Sequence, residues 1–184
     1  MTDGDELRLD VLTPDDMEDL GRRLAGLLRP GDLVLLTGRL GAGKTTFTRG
    51  IGEGLGVRGP VTSPTFVLAR THPNTAGGPP LVHVDAYRLT NAVELDDLDI
   101  DFRRSVVVME WGAGLVEGLA DSWLDIRIER PEGATPSSSA LGIEGDGAGE
   151  DEGDDLVEPR TVLVTAVGER WAGVAAALTQ ATAD

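Results

Sequence analysis

One segment constrains the fold of this chain more than any other: a short apolar run that leads into a glycine-rich turn. Leu33–Thr37 is almost continuously apolar and is bounded by Gly31 and Gly38, which is the pattern of a strand that a parallel sheet buries on both faces. The turn, residues 38–45, matches the template Gly-x-x-x-x-Gly-Lys-Thr, in which backbone N–H groups surround phosphates. A helical pattern follows, so the sequence predicts a P-loop nucleotide site.

The turn assigns chemistry to individual side chains. Lys44 is expected to reach the β- and γ-phosphates of a nucleoside triphosphate, and the Thr45 hydroxyl is expected to ligate Mg²⁺. Lys44 is the only lysine of the chain, so no other lysine can replace it. Glycines in the turn permit backbone dihedrals and a close approach that a Cβ atom would obstruct. The predicted nucleotide-binding set is Gly38, Leu40, Gly41, Ala42, Gly43, Lys44, Thr45 and Thr46.

Two further apolar runs end in carboxylates that complete the predicted site. Residues 81–86 and 105–110 have the pattern of central strands, and they carry Asp85 and Glu110 at their ends. Parallel strands deliver such side chains to the carboxyl edge of the sheet, beside the phosphate-binding turn. A P-loop site needs an acidic side chain there, to hold Mg²⁺ through water or to orient the attacking water. The spacing does not divide these roles between the two carboxylates.

The whole pattern predicts one domain, residues 1–184, with a P-loop three-layer α/β fold. Its central sheet is expected to be mostly parallel, flanked by helices and bordered by antiparallel edge strands. Before the apolar run at 33–37 we expect an edge strand over 6–12 and a helix that begins after Thr13, with its apolar face at Met17, Leu20, Leu24, Leu27 and Leu28. After the turn we expect a loop over 61–70 that leads into a strand at Phe66, and a short helix over 92–98. The chain is expected to end with an antiparallel pair at 123–129 and 160–167 and a short closing helix.

Residues 131–159 separate the two strands of the antiparallel pair and differ in composition from the rest of the chain. They are rich in Gly, Ser, Asp and Glu, contain no basic residue and lack a sustained apolar period. Such a composition does not offset the entropy of ordering. We predict a disordered acidic insertion.

Composition excludes several classes of function. The chain has no cysteine, so disulfide frameworks, thiolate metal sites and cysteine nucleophiles are excluded. Its formal charge of -16 opposes unaided binding to nucleic acid, because basic side chains supply most of that affinity. No apolar run approaches the length of a membrane span, and the N-terminus has no basic start. We expect a cytoplasmic protein without a membrane partner.

Four segments resemble the bacterial TsaE (YjeE) ATPases, which take part in forming threonylcarbamoyladenosine on tRNA. They are residues 40–47, 63–66, 83–89 and 110–111. The resemblance implies an ATPase that uses Mg²⁺, while a partner, TsaD, assembled with TsaB, carries out the transfer to adenosine and ATP turnover resets that assembly. Because the chain is so acidic, we expect a partner to hold the tRNA. The acidic insertion departs from the family's usual short connection, so contacts that this hairpin normally makes with partners are in doubt.

The resemblance also implies roles for residues around the turn. Lys44 and Thr45 would serve phosphate and Mg²⁺, Asp85 would be the second acidic site residue, Glu110 would help to hold Mg²⁺, and Trp111 would lie close to the nucleotide.

Residues 63–65 resemble the family's switch-like loop, in which Thr65, near Ser63, would sense the γ-phosphate. The residues alone favour the simpler interpretation, a proline turn before a strand. Arg88 either neutralises charge in the transition state or pairs with a neighbouring carboxylate. His83 lies between apolar residues and has the pattern of a satisfied core histidine rather than a ligand.

The residues alone are also compatible with functions other than ATP hydrolysis. A small P-loop kinase has the same strand, loop and helix, but it usually carries an arginine-bearing lid that the sequence does not show. A nucleotide-gated binding module without significant hydrolysis is a second alternative. A GTPase is disfavoured because its guanine-binding segment uses a lysine, and the only lysine is in the turn.

Overall fold

The computed structural model describes residues 6–130 and 158–180. The strands of this part of the chain are β1 (Glu6–Val11), β2 (Leu33–Thr37), β3 (Ala69–His72), β4 (Leu81–Asp85), β5 (Val106–Glu110), β6 (Trp123–Glu129) and β7 (Arg160–Val167). The α-helices are α1 (Pro14–Ala25), α2 (Lys44–Leu55), α3 (Ala92–Asp96) and α4 (Val174–Gln180). Residues 131–157 of the predicted insertion lie outside the described residues.

The strands form one mixed sheet in the order β1-β7-β6-β2-β5-β4-β3. Strands β4, β5, β2 and β6 are parallel, whereas β3, β7 and β1 join in antiparallel pairs at the two sides. This confirms the predicted fold class. The register places Leu36, Glu110 and Asp85 in one row across β2, β5 and β4, so both predicted carboxylates lie at the carboxyl edge next to the turn after β2.

Alternation along the strands divides the core between two faces of the sheet. In β2, Val34 and Leu36 pack with residues of α1, α2 and α4, while Leu33 and Leu35 pack with the α3 side. Strand β2 is therefore buried on both faces, as its continuous apolar run predicted. Helix α2, which starts at the phosphate-binding turn, rests on the first of these faces through Phe47.

Helix α1 begins where its capping residues predicted. The Thr13 hydroxyl accepts a hydrogen bond from the Asp16 N–H (3.0 Å), and the Asp16 carboxylate accepts one from the Thr13 N–H (3.0 Å). The helix ends at Ala25 rather than running through Leu28, because the chain tightens into a turn in which the Leu28 N–H donates to the Ala25 carbonyl (3.2 Å).

Helices α1 and α2 approach each other unusually closely, and glycines make this possible. A Cβ atom at Gly50 of α2 would overlap the Glu18 carbonyl oxygen of α1 and lie 2.8 Å from its carbonyl carbon. At Gly54, a Cβ atom would lie 2.5 Å from the Ala25 Cβ. The glycines that lower the helix propensity of α2 therefore belong to its packing against α1.

The strand predicted at Phe66 is wrong. The Val67 N–H donates to the Pro64 carbonyl (2.9 Å), so the turn continues through this position, and Phe66 is 95% exposed. Leu68 then adopts a left-handed backbone with φ of 64°. Because this residue interrupts the extended chain, pairing with β4 begins only at Ala69.

The remaining expected elements are found with small changes of boundary. The short helix expected over 92–98 is α3, the closing helix is α4, and β6 pairs with β7 in the antiparallel sense. Among residues 6–130 and 158–180, no helix has both the length and the apolar character that crossing a membrane requires.

Candidate nucleotide-binding site

The glycine-rich turn connects β2 to α2, and two of its glycines take backbone conformations that side chains disfavour. Gly41 has φ of 75° and Gly43 has φ of 109°, both in the left-handed region. A Cβ atom at Gly38 would lie 2.7 Å from the Ile128 carbonyl oxygen and 3.1 Å from the Ala42 Cβ. The turn thus depends on glycine at positions 38 and 43, which the P-loop template specifies, and also at Gly41, which it leaves open.

Lys44, the first residue of α2, lies folded beneath this turn. Its side chain is 7% exposed, and Nζ donates to the carbonyl oxygens of Gly38 (2.8 Å) and Arg39 (3.3 Å). Nζ also lies 3.6 Å from Glu110 Oε2. The only lysine ammonium group of the chain is therefore held under the glycine-rich turn, next to a buried carboxylate of opposite charge.

The two predicted carboxylates are neighbours in the sheet. Glu110 is 7% exposed and Asp85 is 8% exposed, and they face each other in register across β5 and β4. Asp85 Oδ1 accepts a hydrogen bond from the Tyr87 N–H (3.1 Å), which holds the single 3₁₀ turn after β4. Glu110, which pairs with Lys44, is the carboxylate nearer to β2, and Asp85 lies one strand farther away.

Trp111 follows Glu110 and brings an aromatic ring to the same place. Its backbone is left-handed, with φ of 63°, which is an unfavourable conformation for a bulky residue. The Trp111 N–H donates to the Leu36 carbonyl (3.2 Å), and its ring centroid lies 4.9 Å from Lys44 Nζ. The Tyr87 ring stands edge-on to it, with centroids 6.1 Å apart. The structure thus brings Trp111 to the predicted site.

Residues 62–65 form a loop that is hydrogen-bonded to the 3₁₀ turn after Asp85. The hydroxyl oxygens of Ser63 and Thr65 are 2.7 Å apart, and Arg88 Nη2 donates to the Thr65 carbonyl (2.6 Å). Of the two roles left open for Arg88, pairing with a carboxylate is not seen among the described residues, where the guanidinium donates to this loop instead. Arg88 couples the backbone of Thr65 to the end of β4.

The remaining members of the predicted set surround the turn. Thr45 and Thr46 are half-buried in the first turn of α2, Ala42 is buried, and Leu40 projects into solvent with 94% exposure. Other exposed apolar side chains lie in or just after the segments that carry the predicted site. They are Phe66, Val67, Tyr87 and Trp111, and the rings of Tyr87 and Trp111 contact each other.

His83 is a feature that sequence reasoning missed. It is fully buried, as predicted, but its Nε2 atom lies 2.8 Å from Glu110 Oε1, so it contacts a site residue rather than apolar neighbours alone. A signal was present in the sequence. His83 precedes Asp85 by two residues on one strand, and strand residues two apart lie on the same face of the sheet. The spacing therefore places His83 on the face that carries the predicted site carboxylate Asp85.

The donors around the turn suit Mg²⁺. Within the described parts of the chain, no group of three or more His, Asp or Glu side chains is placed to hold a metal ion. Mg²⁺ is usually bound by one or two protein oxygens together with phosphate and water, rather than by a closed protein cage. A hydroxyl at Thr45 and carboxylates at Glu110 and Asp85, next to a phosphate cradle, fit that preference.

Comparison with known proteins places these features in a family. Residues 11–137 match the family described as threonylcarbamoyl adenosine biosynthesis protein TsaE. A tRNA threonylcarbamoyladenosine biosynthesis protein TsaE from Streptomyces coelicolor is 55% identical over 159 residues, which cover 85% of this chain and 94% of that protein. The protein of the same name from Bacillus subtilis is 34% identical, covering 90% of this chain and 89% of its own length. The crystal structure of YdiB from Bacillus subtilis superposes with a TM-score of 0.69 at 29% identity and covers 99% of both chains.

Proposed function

Because the chain belongs to the TsaE family of threonylcarbamoyladenosine biosynthesis proteins, we propose that it binds ATP with Mg²⁺ and hydrolyses it during that modification of tRNA. The observation that carries the proposal is the position of Lys44. Its ammonium group lies under the phosphate-binding turn, 3.6 Å from the buried Glu110 carboxylate.

The reaction proposed here is attack of water on the γ-phosphate of ATP. Backbone N–H groups of the turn and Lys44 bind the phosphates and stabilise the charge that develops on them. Thr45 and Glu110 are the proposed ligands of Mg²⁺, which when bound neutralises phosphate charge. Asp85 is the proposed second acidic residue and orients water beside that carboxylate. Trp111 covers Lys44 and closes one side of the nucleotide site.

The loop of residues 62–65 is the proposed switch. Thr65 and Ser63 carry hydroxyls that can meet the γ-phosphate, and the Arg88 contact with the Thr65 carbonyl would transmit a movement of this loop to the end of β4. Loss of the γ-phosphate on hydrolysis would release the two hydroxyls and let the loop move.

We further propose that the protein is cytoplasmic, that it acts with TsaD, which is assembled with TsaB and carries out the transfer to adenosine, and that tRNA reaches it only through that complex. The formal charge of -16 supports the last point, since a strongly acidic protein repels the phosphate backbone. The proposed contact with TsaD and TsaB is supported by the exposed, contacting rings of Tyr87 and Trp111, because aromatic side chains are enriched at protein interfaces.

Calorimetric titration with ATP tests the site directly. The wild-type chain should bind ATP more tightly with Mg²⁺ than with EDTA. Lys44→Ala should reduce affinity in both conditions, and Thr45→Ala should remove mainly the gain from Mg²⁺. Thr71→Ala, in the exposed part of β3, is the control and should match wild type. Equal Mg²⁺-dependent affinity in Lys44→Ala and wild type would contradict the assignment.

Two alternative functions predict different outcomes. A metabolite kinase would form a phosphorylated product in a screen of small acceptors and would leave phosphate release low. A nucleotide-gated binding module would bind MgATP and then release no phosphate even with TsaB, TsaD and tRNA present. Competition of GTP with labelled ATP would separate a guanine-specific protein from both.

A further inference from the structure

His83 stands behind the proposed catalytic site, and its surroundings give it one polar contact. It is fully buried in β4, and its Nε2 atom lies 2.8 Å from Glu110 Oε1. Its Nδ1 atom has no hydrogen-bond partner among the described residues. A buried N–H without an acceptor is costlier than a buried lone pair without a donor. The hydrogen therefore belongs on Nε2, which donates to the Glu110 carboxylate.

The two oxygens of Glu110 thus have separate partners. Oε1 accepts from His83 at 2.8 Å, while Oε2 faces Lys44 Nζ at 3.6 Å. A glutamate side chain has three rotatable bonds, and burial alone does not fix the plane of its carboxylate. With Oε1 tied to a side chain in the neighbouring strand, Oε2 is the oxygen presented to the phosphate-binding turn.

We propose that His83 is a positioning residue for the nucleotide site: it holds the Glu110 carboxylate so that Oε2 faces Lys44 and the proposed Mg²⁺ position. The inference rests on the proposed function. It adds to that function the side chain that orients Glu110, the proposed Mg²⁺ ligand. Mutation of a residue that hydrogen-bonds to a metal ligand typically lowers metal affinity or activity by about 10- to 100-fold.

A matched set of variants separates positioning from simple core packing. His83→Phe keeps a flat ring but removes the donor, whereas His83→Gln keeps an N–H donor that can reach the same carboxylate. His72 provides the control, because it is also buried (5% exposed) and lies on β3 with no hydrogen-bond partner for Nε2 in the described residues. His72→Phe should affect folding but not the response to Mg²⁺.

The first readout is ATP affinity as a function of Mg²⁺ concentration in the full-length chain. His83→Phe should raise the half-saturating Mg²⁺ concentration about 10- to 100-fold, with a smaller change of affinity in EDTA, and His83→Gln should restore most of the loss. His72→Phe should match wild type. An unchanged Mg²⁺ requirement in folded His83→Phe, or a Gln variant no better than Phe, would overturn the proposal.

The second readout needs neither nucleotide nor turnover. A long-range ¹H–¹⁵N NMR spectrum should show His83 protonated at Nε2, and Glu110→Gln should shift that resonance more than any resonance of His72. A proton on Nδ1 of His83, or no response to Glu110→Gln, would refute the contact. If wild type binds MgATP without releasing phosphate, or binds none, the proposed ATPase fails, whereas this spectrum still decides whether His83 holds the Glu110 carboxylate.

Discussion

Gly50→Ala tests the packing that places the phosphate-binding turn. Gly50 lies in the middle of α2, where alanine normally stabilises a helix by about 1 kcal/mol relative to glycine. Here the added Cβ atom would overlap the Glu18 carbonyl oxygen and lie 2.8 and 2.9 Å from the Glu18 carbonyl carbon and Cα. These atoms belong to the backbone of α1, so the helices must separate. Overpacking of this kind costs about 1–3 kcal/mol or more.

Because the clash is with backbone atoms, we take the upper end of this range, about 3 kcal/mol, and subtracting the propensity gain of about 1 kcal/mol leaves a net loss of about 2 kcal/mol. For a domain of this size that corresponds to a fall of about 4–8 °C in Tm, measured by calorimetry. Affinity for MgATP should fall too, because α2 carries Lys44 at its start. Gly118→Ala is the matched control, since a Cβ atom there meets no atom within 4 Å, and its Tm should stay within about 2 °C of wild type. A Gly50→Ala variant more stable than wild type would refute the close approach.

Three further predictions concern stability. Thr13→Ala removes the cap of α1 and should cost about 1 kcal/mol in urea unfolding, whereas an unchanged midpoint would contradict the capping geometry. Asp32→Ala should cost about 2 kcal/mol in the same assay, because Asp32 is buried and accepts two hydrogen bonds from Arg170 (2.8 and 3.1 Å); no loss would show that this pair contributes nothing. Burial raises the pKa of Asp125 in the folded state, and the nearby Arg127 partly opposes this shift. At a pH above the raised pKa the half-buried carboxylate is ionised, and this lowers the stability of the folded state. Asp125→Asn should therefore raise Tm at pH 7, and the gain should disappear as pH falls through the folded pKa toward the usual aspartate value.

The sequence predicted the parts of the fold that follow from local rules. The apolar run of β2, the turn residues and the Thr13 cap each act over a few residues, so their pattern is visible in one dimension. The carboxylates were located because parallel strands end at one edge, and the structure places Asp85 and Glu110 in register there.

The errors concern contacts between distant segments. Nothing local indicated that Leu68 would take a left-handed backbone and delay β3, or that Arg88 would reach the Thr65 carbonyl 23 residues earlier. The contact between His83 and Glu110 also joins two neighbouring strands and two residues that are 27 positions apart in the chain. The apolar pattern predicted that His83 is buried, and its spacing from Asp85 placed it on the same face of the strand, but neither identified Glu110 as its partner.

Phosphate release from MgATP is the most direct test of the central claim that Lys44 and Glu110 form an ATP-hydrolysing site serving tRNA modification. It should be measured for the wild-type chain and for Lys44→Ala, each alone and with purified TsaB, TsaD and tRNA. Release that rises with these partners and is lost in Lys44→Ala is the predicted result. Release that persists in Lys44→Ala, or that never responds to the partners, would contradict the account.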